Sequence, residues 1–281
     1  MSPQGSMAVS VVIPCHNSTE TLAQTVASLR APTRPSFETV LVDDGSTDAT
    51  GELMKTLALG FNEQSVPADA QRPVRLLSRP QGGVAAARNT GIAAARGRYI
   101  LPLDADDLLA PEALSDCASV LDTDPRTAIV TMDRQDFGDV ERRWNAGPFD
   151  LQRLKYFNQI AYCSMYRRAL WHDIGGYRSN VNGFDDWDFW IAAALRGATA
   201  RHVPKPHLLH RRRRDSLMWR LLDSYESLHA RIMLNNPEAY TADELTMAQN
   251  FLDHGTPAPV LRSARFVFLG RYYDGYAAAT A

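Results

Sequence analysis

The first half of the chain alternates short, continuously apolar runs with stretches whose apolar positions recur every three to four residues. The continuous runs are typical of strands buried on both faces, and the longer period is typical of helices. Successive pairs of this kind predict an α/β fold in which a parallel sheet is connected by right-handed crossovers. The predicted strands cover residues 8–14, 37–42, 74–78 and 98–103, and the helices that follow them cover residues 18–29, 47–59, 84–96 and 111–121.

The pattern changes after residue 128. Residues 133–149 have no clear period and predict an irregular segment, whereas residues 216–252 are helical in pattern. The helical stripe Leu217, Leu221, Tyr225, Leu228 and Ile232 is expected to pack against the sheet. The other elements predicted here are strands at 128–132 and 162–166, a helix at 167–174 that ends at Gly175, a helix that starts near Phe184, and a last helix at 257–269.

Composition is that of an ordinary globular protein. The 281 residues are 45% hydrophobic and 22% charged, which excludes fibrous and disordered classes. The formal charge of -2 predicts no nucleic-acid partner, so phosphate recognition must be local. The three cysteines lack CxxC spacing, which argues against a zinc site or a disulfide scaffold and favours a reducing compartment. Without a long apolar run or a signal pattern, the expected location is cytoplasmic, either free or peripheral to a membrane.

Polar residues follow each predicted strand at its carboxyl end. Ligands of open α/β sheets bind outside these ends, so the polar residues are expected to converge on one crevice. Neighbouring carboxylates repel one another and are costly to desolvate, so they must face water, donors or a bound cation. A solvated acidic turn before a helix is the alternative. The residues concerned are His16, Asn17, Asp43, Asp44, Gly82, Gly83, Asp104 and Asp106.

Five blocks of sequence, in this order and spacing, resemble the inverting glycosyltransferases of family 2, which have a GT-A fold. The blocks are VSVVIPCHN, ETVLVDDGSTDAT, GGVAAARNTGIAAARGRYILPLDADD, GGY and DDWDFW. The resemblance implies a Rossmann-like, mostly parallel central sheet flanked by helices. It also implies a nucleotide-sugar-binding half at 1–110, an acceptor-binding and catalytic-base half at 111–215, and a C-terminal helical extension at 216–281.

The resemblance implies that Asp106 holds Mn²⁺ or Mg²⁺, a hard cation that takes carboxylate and phosphate oxygens. It places Asp104 near the ribose, and Asp44 resembles the residue that accepts a hydrogen bond from uracil. The implied nucleotide-sugar-binding set is Pro14, His16, Asn17, Asp44, Gly83, Arg88, Asp104, Ala105 and Arg213. Three of these have structural alternatives: Asp44 as a turn and helix cap, Gly83 as a turn residue, and Arg88 as part of an ion pair.

An inverting transfer needs a carboxylate base on the face opposite the leaving group. The resemblance assigns this role to Asp186, with Asp185 as the adjacent alternative. Capping of a helix is the structural alternative, and it is the role expected for Asp188. Trp187 and Trp190 either stack on the acceptor sugar or belong to the core.

One block departs from the family, which often carries a metal-binding histidine in a pattern like YRxHxxS. Residues 210–216 read HRRRRDS, which places Arg213 at that histidine's position. Since arginine does not coordinate a cation, either the metal has one protein ligand fewer, His207 or His210 replaces the histidine, or the guanidinium groups themselves neutralise the diphosphate. The arginine run is alternatively a solvated basic face or a contact with anionic lipid.

The function expected from these residues is a metal-dependent inverting glycosyltransferase. It would transfer a sugar from a nucleotide-sugar donor, with a UDP-sugar expected, to a hydroxyl on a glycan, a lipid-linked sugar or a small molecule. A nucleotidyltransferase would need a Gly-rich, basic loop after the first strand, and PCHNSTE is not one. A binding module that has lost catalysis remains the alternative, which Arg213 favours and Asp106 and Asp186 oppose.

Overall fold

The computed structural model describes residues 8–30, 36–62, 72–213, 217–255 and 261. These residues form a nine-stranded sheet flanked by helices. The strands are β1 (Val9–Cys15), β2 (Phe37–Asp44), β3 (Val74–Arg79), β4 (Tyr99–Pro102), β5 (Leu108–Leu109), β6 (Thr127–Gly138), β7 (Arg142–Trp144), β8 (Met165–Arg167) and β9 (Thr199–Arg212). The helices are α1 (Leu22–Ser28), α2 (Thr50–Asn62), α3 (Val84–Ala94), α4 (Ala113–Thr123), α5 (Leu151–Leu154), α6 (Arg168–Ile174), α7 (Asp185–Leu195), α8 (Leu217–Arg220), α9 (Tyr225–Asn235) and α10 (Ala242–His254).

The four strands of the predicted βα units are parallel neighbours. β1 pairs in parallel with both β2 and β4, and β2 pairs in parallel with β3. The sheet continues from β4 through β8, β6 and β9 to β5, and it becomes mixed because β8 runs antiparallel to both of its neighbours. The predicted α/β fold with parallel βα units is therefore confirmed, and the carboxyl ends of β1, β2 and β4 lie at one edge.

The core lies on both faces of the sheet. Along β1, Val9, Val11 and Ile13 pack on one face in a cluster that includes apolar residues of α1 and α4. Val12 packs on the other face, in the cluster that includes residues of α3 and α7. Burial on both faces explains why the strand is apolar at consecutive positions.

The prediction of an irregular segment over residues 133–149 is partly wrong. β6 continues to Gly138, and residues 134–136 pair with β7 in an antiparallel ribbon. β6 also pairs in parallel with β9 along most of its length. Pairing with β7 and β9 satisfies the backbone hydrogen bonds of this part of β6. Some of its side chains line an open cleft and not the core, so the sequence has no alternation of apolar residues that would mark a strand.

The helical stripe expected to pack on the sheet does so neither at Leu217, which is exposed, nor at Tyr225, which packs beside α7. Tyr225 and Ile232 are buried, and the Tyr225 ring lies 5.2 Å from that of Phe184, beside the start of α7. α7 in turn contacts β8, where Phe189 and Tyr166 lie 5.2 Å apart. The helix expected at 257–269 lies outside the described residues, apart from Leu261.

Two further expectations meet the fold here. The three cysteines are buried and free. In the described part of the chain, no helix has the length and apolar character needed to cross a bilayer. The division into two halves and an extension stays a prediction.

Candidate active site

A cleft of about 640 Å³ opens at the carboxyl edge of the parallel strands. The residues selected from the sequence line it: Pro14, His16, Asn17, Asp44, Gly83, Arg88, Asp104, Ala105, Asp106, Asp185, Asp186 and Arg213. Asp43 and Gly82 were expected with them but do not line the cleft. The Asp43 carboxylate accepts the Ser46 N–H at 2.9 Å, which is the turn role given as its alternative.

One end of the cleft is formed by the loops after β1 and β2. The buried Asp44 carboxylate accepts the Gly83 N–H at 2.7 Å and pairs with Arg79, so it fastens β2 to the loop before α3. Nδ1 of His16 lies 3.0 Å from the Asp44 carbonyl oxygen. Gly83 has a φ of 86°, and a Cβ there would come within 2.6 Å of the Asn182 amide oxygen. The positive φ favours glycine at this position whether or not the Asn182 side chain moves aside.

Arg88 connects two acidic groups of the site. Its buried guanidinium donates to Asp104 and to Asp185, each at 2.7 Å. Burial alone would lower the pKa of Arg88, but the two carboxylates raise it well above its usual value. Arg88 therefore forms the ion pairs given as its structural alternative, and it lines the cleft as well.

The acidic turn after β4 presents carboxylates of different character. Asp107 is buried, and it accepts the Tyr162 hydroxyl and the Arg211 N–H, both at 2.6 Å. Burial raises its pKa well above the usual range, and Asp106 and Asp104 add to this. Asp106 is about a third exposed, and its pKa is raised by burial and by Asp104. Asp106 is therefore the more accessible of these two carboxylates.

The residues around Asp106 fit a divalent cation through few protein ligands. Mg²⁺ and Mn²⁺ need only one or two carboxylates when phosphate oxygens complete the shell. Asp104 and Asp106 are partly exposed carboxylates of this kind. Among the described residues, no group of three or more metal-ligating side chains is present.

That either His207 or His210 replaces the metal-binding histidine stays a prediction. The buried His207 lies 2.9 Å from Asp116 and does not line the cleft. His210 lines the cleft, and its Nδ1 lies 3.1 Å from Asp136. Arg213 instead lies 3.4 Å from Asp106.

The arginine run is not a solvated basic face over its described residues. Arg211, Arg212 and Arg213 line the cleft, and Arg212 is buried. The guanidinium of Arg211 donates to the Asp106 carbonyl at 2.9 Å. Arg214 lies outside the described residues.

The two carboxylates at the start of α7, Asp185 and Asp186, differ in how deeply they are buried. Asp185 is 1% exposed, and its two oxygens accept from Arg88 and from the Gly183 N–H. Asp186 is half-buried and faces the cleft. Burial raises its pKa to about 7, with Asp185 adding to the effect and Arg88 opposing it. Asp186 thus has both the access and the proton affinity that a general base needs.

The neighbours of this pair are structural. Asp188 is buried and accepts from Arg178 at 3.1 Å and from Asn236 at 2.8 Å, so it joins α7 to the end of α9. Trp187 and Trp190 are 3% and 0% exposed, which decides between their two alternatives in favour of the core.

Sequence reasoning did not select the residues that line the cleft on or near β6 and β7. Trp144 and Phe157 are half-buried, line the cleft, and have ring centroids 6.1 Å apart. The Arg134 guanidinium lies 4.5 Å from the Trp144 ring centroid. Asn158, beside Phe157, contacts Asp186. Only the β6–β7 pairing brings Trp144 to the cleft, and no local motif marks it.

Comparison with known proteins gives matches to a glycosyltransferase family and to individual members of known function. The family model for glycosyl transferase family 2 matches residues 10–176. A chondroitin synthase of Pasteurella multocida (strain Pm70) is 29% identical over 187 residues, which is 65% of this chain but only 18% of that protein. A PGL/p-HBAD biosynthesis glycosyltransferase of Mycobacterium bovis (strain BCG / Pasteur 1173P2) is 32% identical over 189 residues, 65% of this chain and 68% of that protein.

Solved structures share the fold. S. aureus TarS 1-349 in complex with UDP-GlcNAc has a TM-score of 0.63 at 18% identity, and the match covers 96% of this chain and 82% of that one. The mannosyltransferase PcManGT from Pyrobaculum calidifontis, in complex with GDP-Man and Mn²⁺, has a TM-score of 0.61 at 20% identity, covering 96% and 76%. The GT-A fold expected from the sequence is therefore confirmed.

Proposed function

The chain belongs to glycosyl transferase family 2, and we propose that it transfers a sugar from a nucleotide-sugar donor to a hydroxyl acceptor with inversion at the anomeric carbon. The observation that carries the proposal is the Arg88 bridge. One guanidinium holds Asp104, on the donor side, and Asp185, next to the base, at 2.7 Å each. The donor end and the base Asp186 therefore belong to one site, as a single displacement requires.

We assign the donor to the cleft end formed by the loops after β1, β2 and β4. The nucleobase of the donor is surrounded by Pro14, His16, Asn17, Asp44 and Gly83. The rest of the nucleotide contacts Asp104, Ala105 and Arg88. A UDP-sugar is the proposed donor because Asp44 resembles the residue that accepts from uracil. TarS was solved with UDP-GlcNAc and PcManGT with GDP-Man, so the identity of the donor's nucleobase must be determined by experiment.

The mechanism uses groups that the cleft already holds. Asp186 takes the proton of the acceptor hydroxyl as its oxygen bonds to the anomeric carbon, and the bond from that carbon to the diphosphate breaks on the opposite side. The electron pair leaves with the nucleoside diphosphate, whose charge Arg213 offsets through charge-assisted hydrogen bonds. Asp106 would hold a Mn²⁺ or Mg²⁺ ion, which supplies further charge neutralisation at the diphosphate.

The acceptor belongs to the arm built by β6 and β7. In the sheet, β8 lies between this arm and β4, the nearest strand of the donor end. Trp144 and Phe157 offer half-buried aromatic surface, and Arg134 adds a cation. Amphipathic sugar rings suit such a surface, so a glycan, a lipid-linked sugar or a small glycoside is the proposed acceptor class.

Turnover separates this proposal from a non-catalytic binding module. Wild type and Asp186→Asn are incubated with UDP-glucose, UDP-GlcNAc or GDP-mannose and a panel of methyl glycosides, and nucleoside diphosphate release is measured. Wild type is expected to turn over one donor, and Asp186→Asn to lose at least about 100-fold in kcat while binding it unchanged. Donor binding without turnover on the whole panel would favour the binding module.

A further inference from the structure

The general base is attached to a neighbouring segment of the chain, residues 154–160, which begins at the last residue of α5. Nδ2 of Asn158 donates to Oδ2 of Asp186 at 2.8 Å. One residue further along α7, Nε1 of Trp187 donates to the Leu154 carbonyl at 2.5 Å. These two bonds hold the start of α7 and the segment in a fixed relation, so the position of the Asp186 carboxylate depends on the segment.

The orientation of the Asn158 amide is set by a second bond. Its Oδ1 accepts the Ile160 N–H at 3.1 Å, and Ile160 is buried in the core. An amide whose oxygen faces an N–H donor must direct its nitrogen elsewhere, here to Asp186. Rotating the amide would break both bonds, so Asn158 presents a donor, and not an acceptor, to the carboxylate.

The C-terminal helices fix the same segment from the other side. The Lys155 carbonyl accepts from Nε2 of His229 at 2.8 Å and from the Tyr240 hydroxyl at 3.1 Å. The His229 ring also stacks on that of Trp187, with centroids 4.8 Å apart. The segment beside Asp186 is therefore bonded to α7, to α9 and to Tyr240, which lies between α9 and α10, and these bonds leave it little freedom to move.

We propose that Asn158 is a positioning residue for the general base, holding one oxygen of Asp186 so that the other is available to the acceptor hydroxyl. This inference rests on the proposed function, in which Asp186 takes the proton. Among the described residues, Asn158 is the side chain that donates a hydrogen bond to Asp186. A neutral amide donates at every pH, and a donor stabilises the ionised carboxylate over the protonated one.

The charges around Asp186 make this donor important. Asp185 on α7 opposes ionisation of the base, Arg88 on α3 favours it, and Arg220 of α8 and Tyr225 of α9 also line the cleft. Burial and Asp185 raise the pKa of Asp186 to about 7, and Asn158 acts against that rise. Removing the amide donor should therefore raise the pKa further and leave less base ionised at neutral pH.

The test compares Asn158→Asp with Asn158→Ala. Asn158→Asp keeps the shape of the side chain and an acceptor for the Ile160 N–H, but when ionised it offers no donor and adds a negative charge. The pKa of Asp186 is measured in the free protein by ¹³C NMR of labelled carboxylates, assigned with Asp186→Asn. We expect an increase of about half a unit or more in Asn158→Ala and a larger one in Asn158→Asp.

Kinetics give the second readout. With the donor that wild type uses, kcat should fall about 10- to 100-fold in both variants, the acidic limb of the kcat/KM profile should move to higher pH, and the donor Kd should stay unchanged. In an Asp186→Asn background, Asn158→Ala should cause no further loss. Asn180→Ala is the matched control, because Asn180 is exposed, pairs with Asn235 and does not line the cleft.

An unmoved Asp186 pKa in both variants, or a pKa that rises while kcat stays within about twofold of wild type, overturns the role of Asn158. Failure of the proposed function looks different. In that case wild type neither binds nor turns over a nucleotide sugar, whereas the NMR titration still reports whether Asn158 sets the pKa of Asp186.

Discussion

The guanidinium of Arg213 lies 3.4 Å from the carboxylate of Asp106. Both side chains are partly exposed, at 40% and 32%, so the contact is screened by water and contributes little to stability. The contact matters because of where Arg213 stands in the sequence. It is at the position where the family often has a metal-binding histidine, so a positively charged side chain replaces a metal ligand there. Under the proposed function, Arg213 would share the diphosphate charge with a metal ion held by Asp106.

The first prediction concerns nucleotide binding without metal. Arg213→Ala should weaken UDP binding in EDTA by about 10-fold or more, because a charge-assisted contact to phosphate is lost. Arg213→His should bind UDP more tightly in Mn²⁺ than Arg213→Ala does, since histidine can coordinate the ion. Calorimetric titrations measure both. Arg98→Ala, which breaks an exposed ion pair with Asp122, is the control, and equal affinities for wild type and Arg213→Ala in EDTA would contradict the prediction.

The second prediction concerns the buried ion pairs of Arg88. Arg88→Met should lower the free energy of unfolding by about 3 to 5 kcal/mol, because it leaves Asp185 buried without its cation. Adding Asp185→Asn should recover part of this loss, since the amide carries no charge. Urea denaturation of the two single variants and the double variant gives the values. A loss in the double variant equal to the sum of the two single losses would argue against coupling.

The third prediction follows from the raised pKa of Asp186. A carboxyl whose pKa is higher in the folded than in the unfolded state binds more protons when folded, so it costs stability as pH rises from about 4 towards 7. Asp186→Asn removes that cost and should raise the free energy of unfolding at pH 8 by up to about 4 kcal/mol, with little change at pH 4. Urea denaturation at the two pH values tests this, and equal changes at both would refute it.

The same shift predicts the pH dependence of the reaction. Under the proposed function the ionised form of Asp186 is the base, so kcat/KM should fall about tenfold per pH unit below pH 7 and reach a plateau above it. Steady-state rates between pH 5 and 9 give the profile. A plateau that extends down to about pH 5 would mean that the base is another group or that the carboxyl is not shifted.

The fifth prediction distinguishes a ring that lines the cleft, Trp144, from a ring of the core, Trp190. Trp144→Ala should raise the KM for a methyl glycoside acceptor by about 5- to 50-fold and leave the donor Kd unchanged, because the ring lines the cleft. Trp190→Ala should lower the free energy of unfolding by about 3 to 5 kcal/mol, since this ring is fully buried. Acceptor kinetics and urea curves distinguish the two. A Trp144→Ala enzyme with an unchanged acceptor KM would place the acceptor elsewhere.

The donor half of the fold could be predicted from the sequence because its signals are local. β1 is apolar at consecutive positions because both faces of the sheet are covered, and its polar end must lie at the edge where the parallel strands finish. The residues selected there line the cleft, except for Asp43 and Gly82. Local pattern is sufficient when each unit is a strand, a turn and a helix in sequence.

The acceptor arm could not be predicted because its structure is held by distant pairing. β6 and β9 are paired across about 70 residues of sequence, as in the pair Val130 and Arg201, and part of this region lines a polar cleft. Neither an apolar period nor a cap marks Trp144 or Asn158 as a site residue. Their places follow only from the β6–β7 ribbon and from the bond between Asn158 and Asp186.

The most direct test of the central claim, that the cleft binds a nucleotide-sugar donor through Asp106, is calorimetry with UDP, GDP, dTDP and CDP. Each is titrated in Mn²⁺ and in EDTA, into wild type and into Asp106→Ala. One nucleotide, expected to be UDP, should bind more tightly in Mn²⁺, and Asp106→Ala should lose that gain. If none of the four binds wild type under either condition, the donor assignment and the transferase built on it are contradicted.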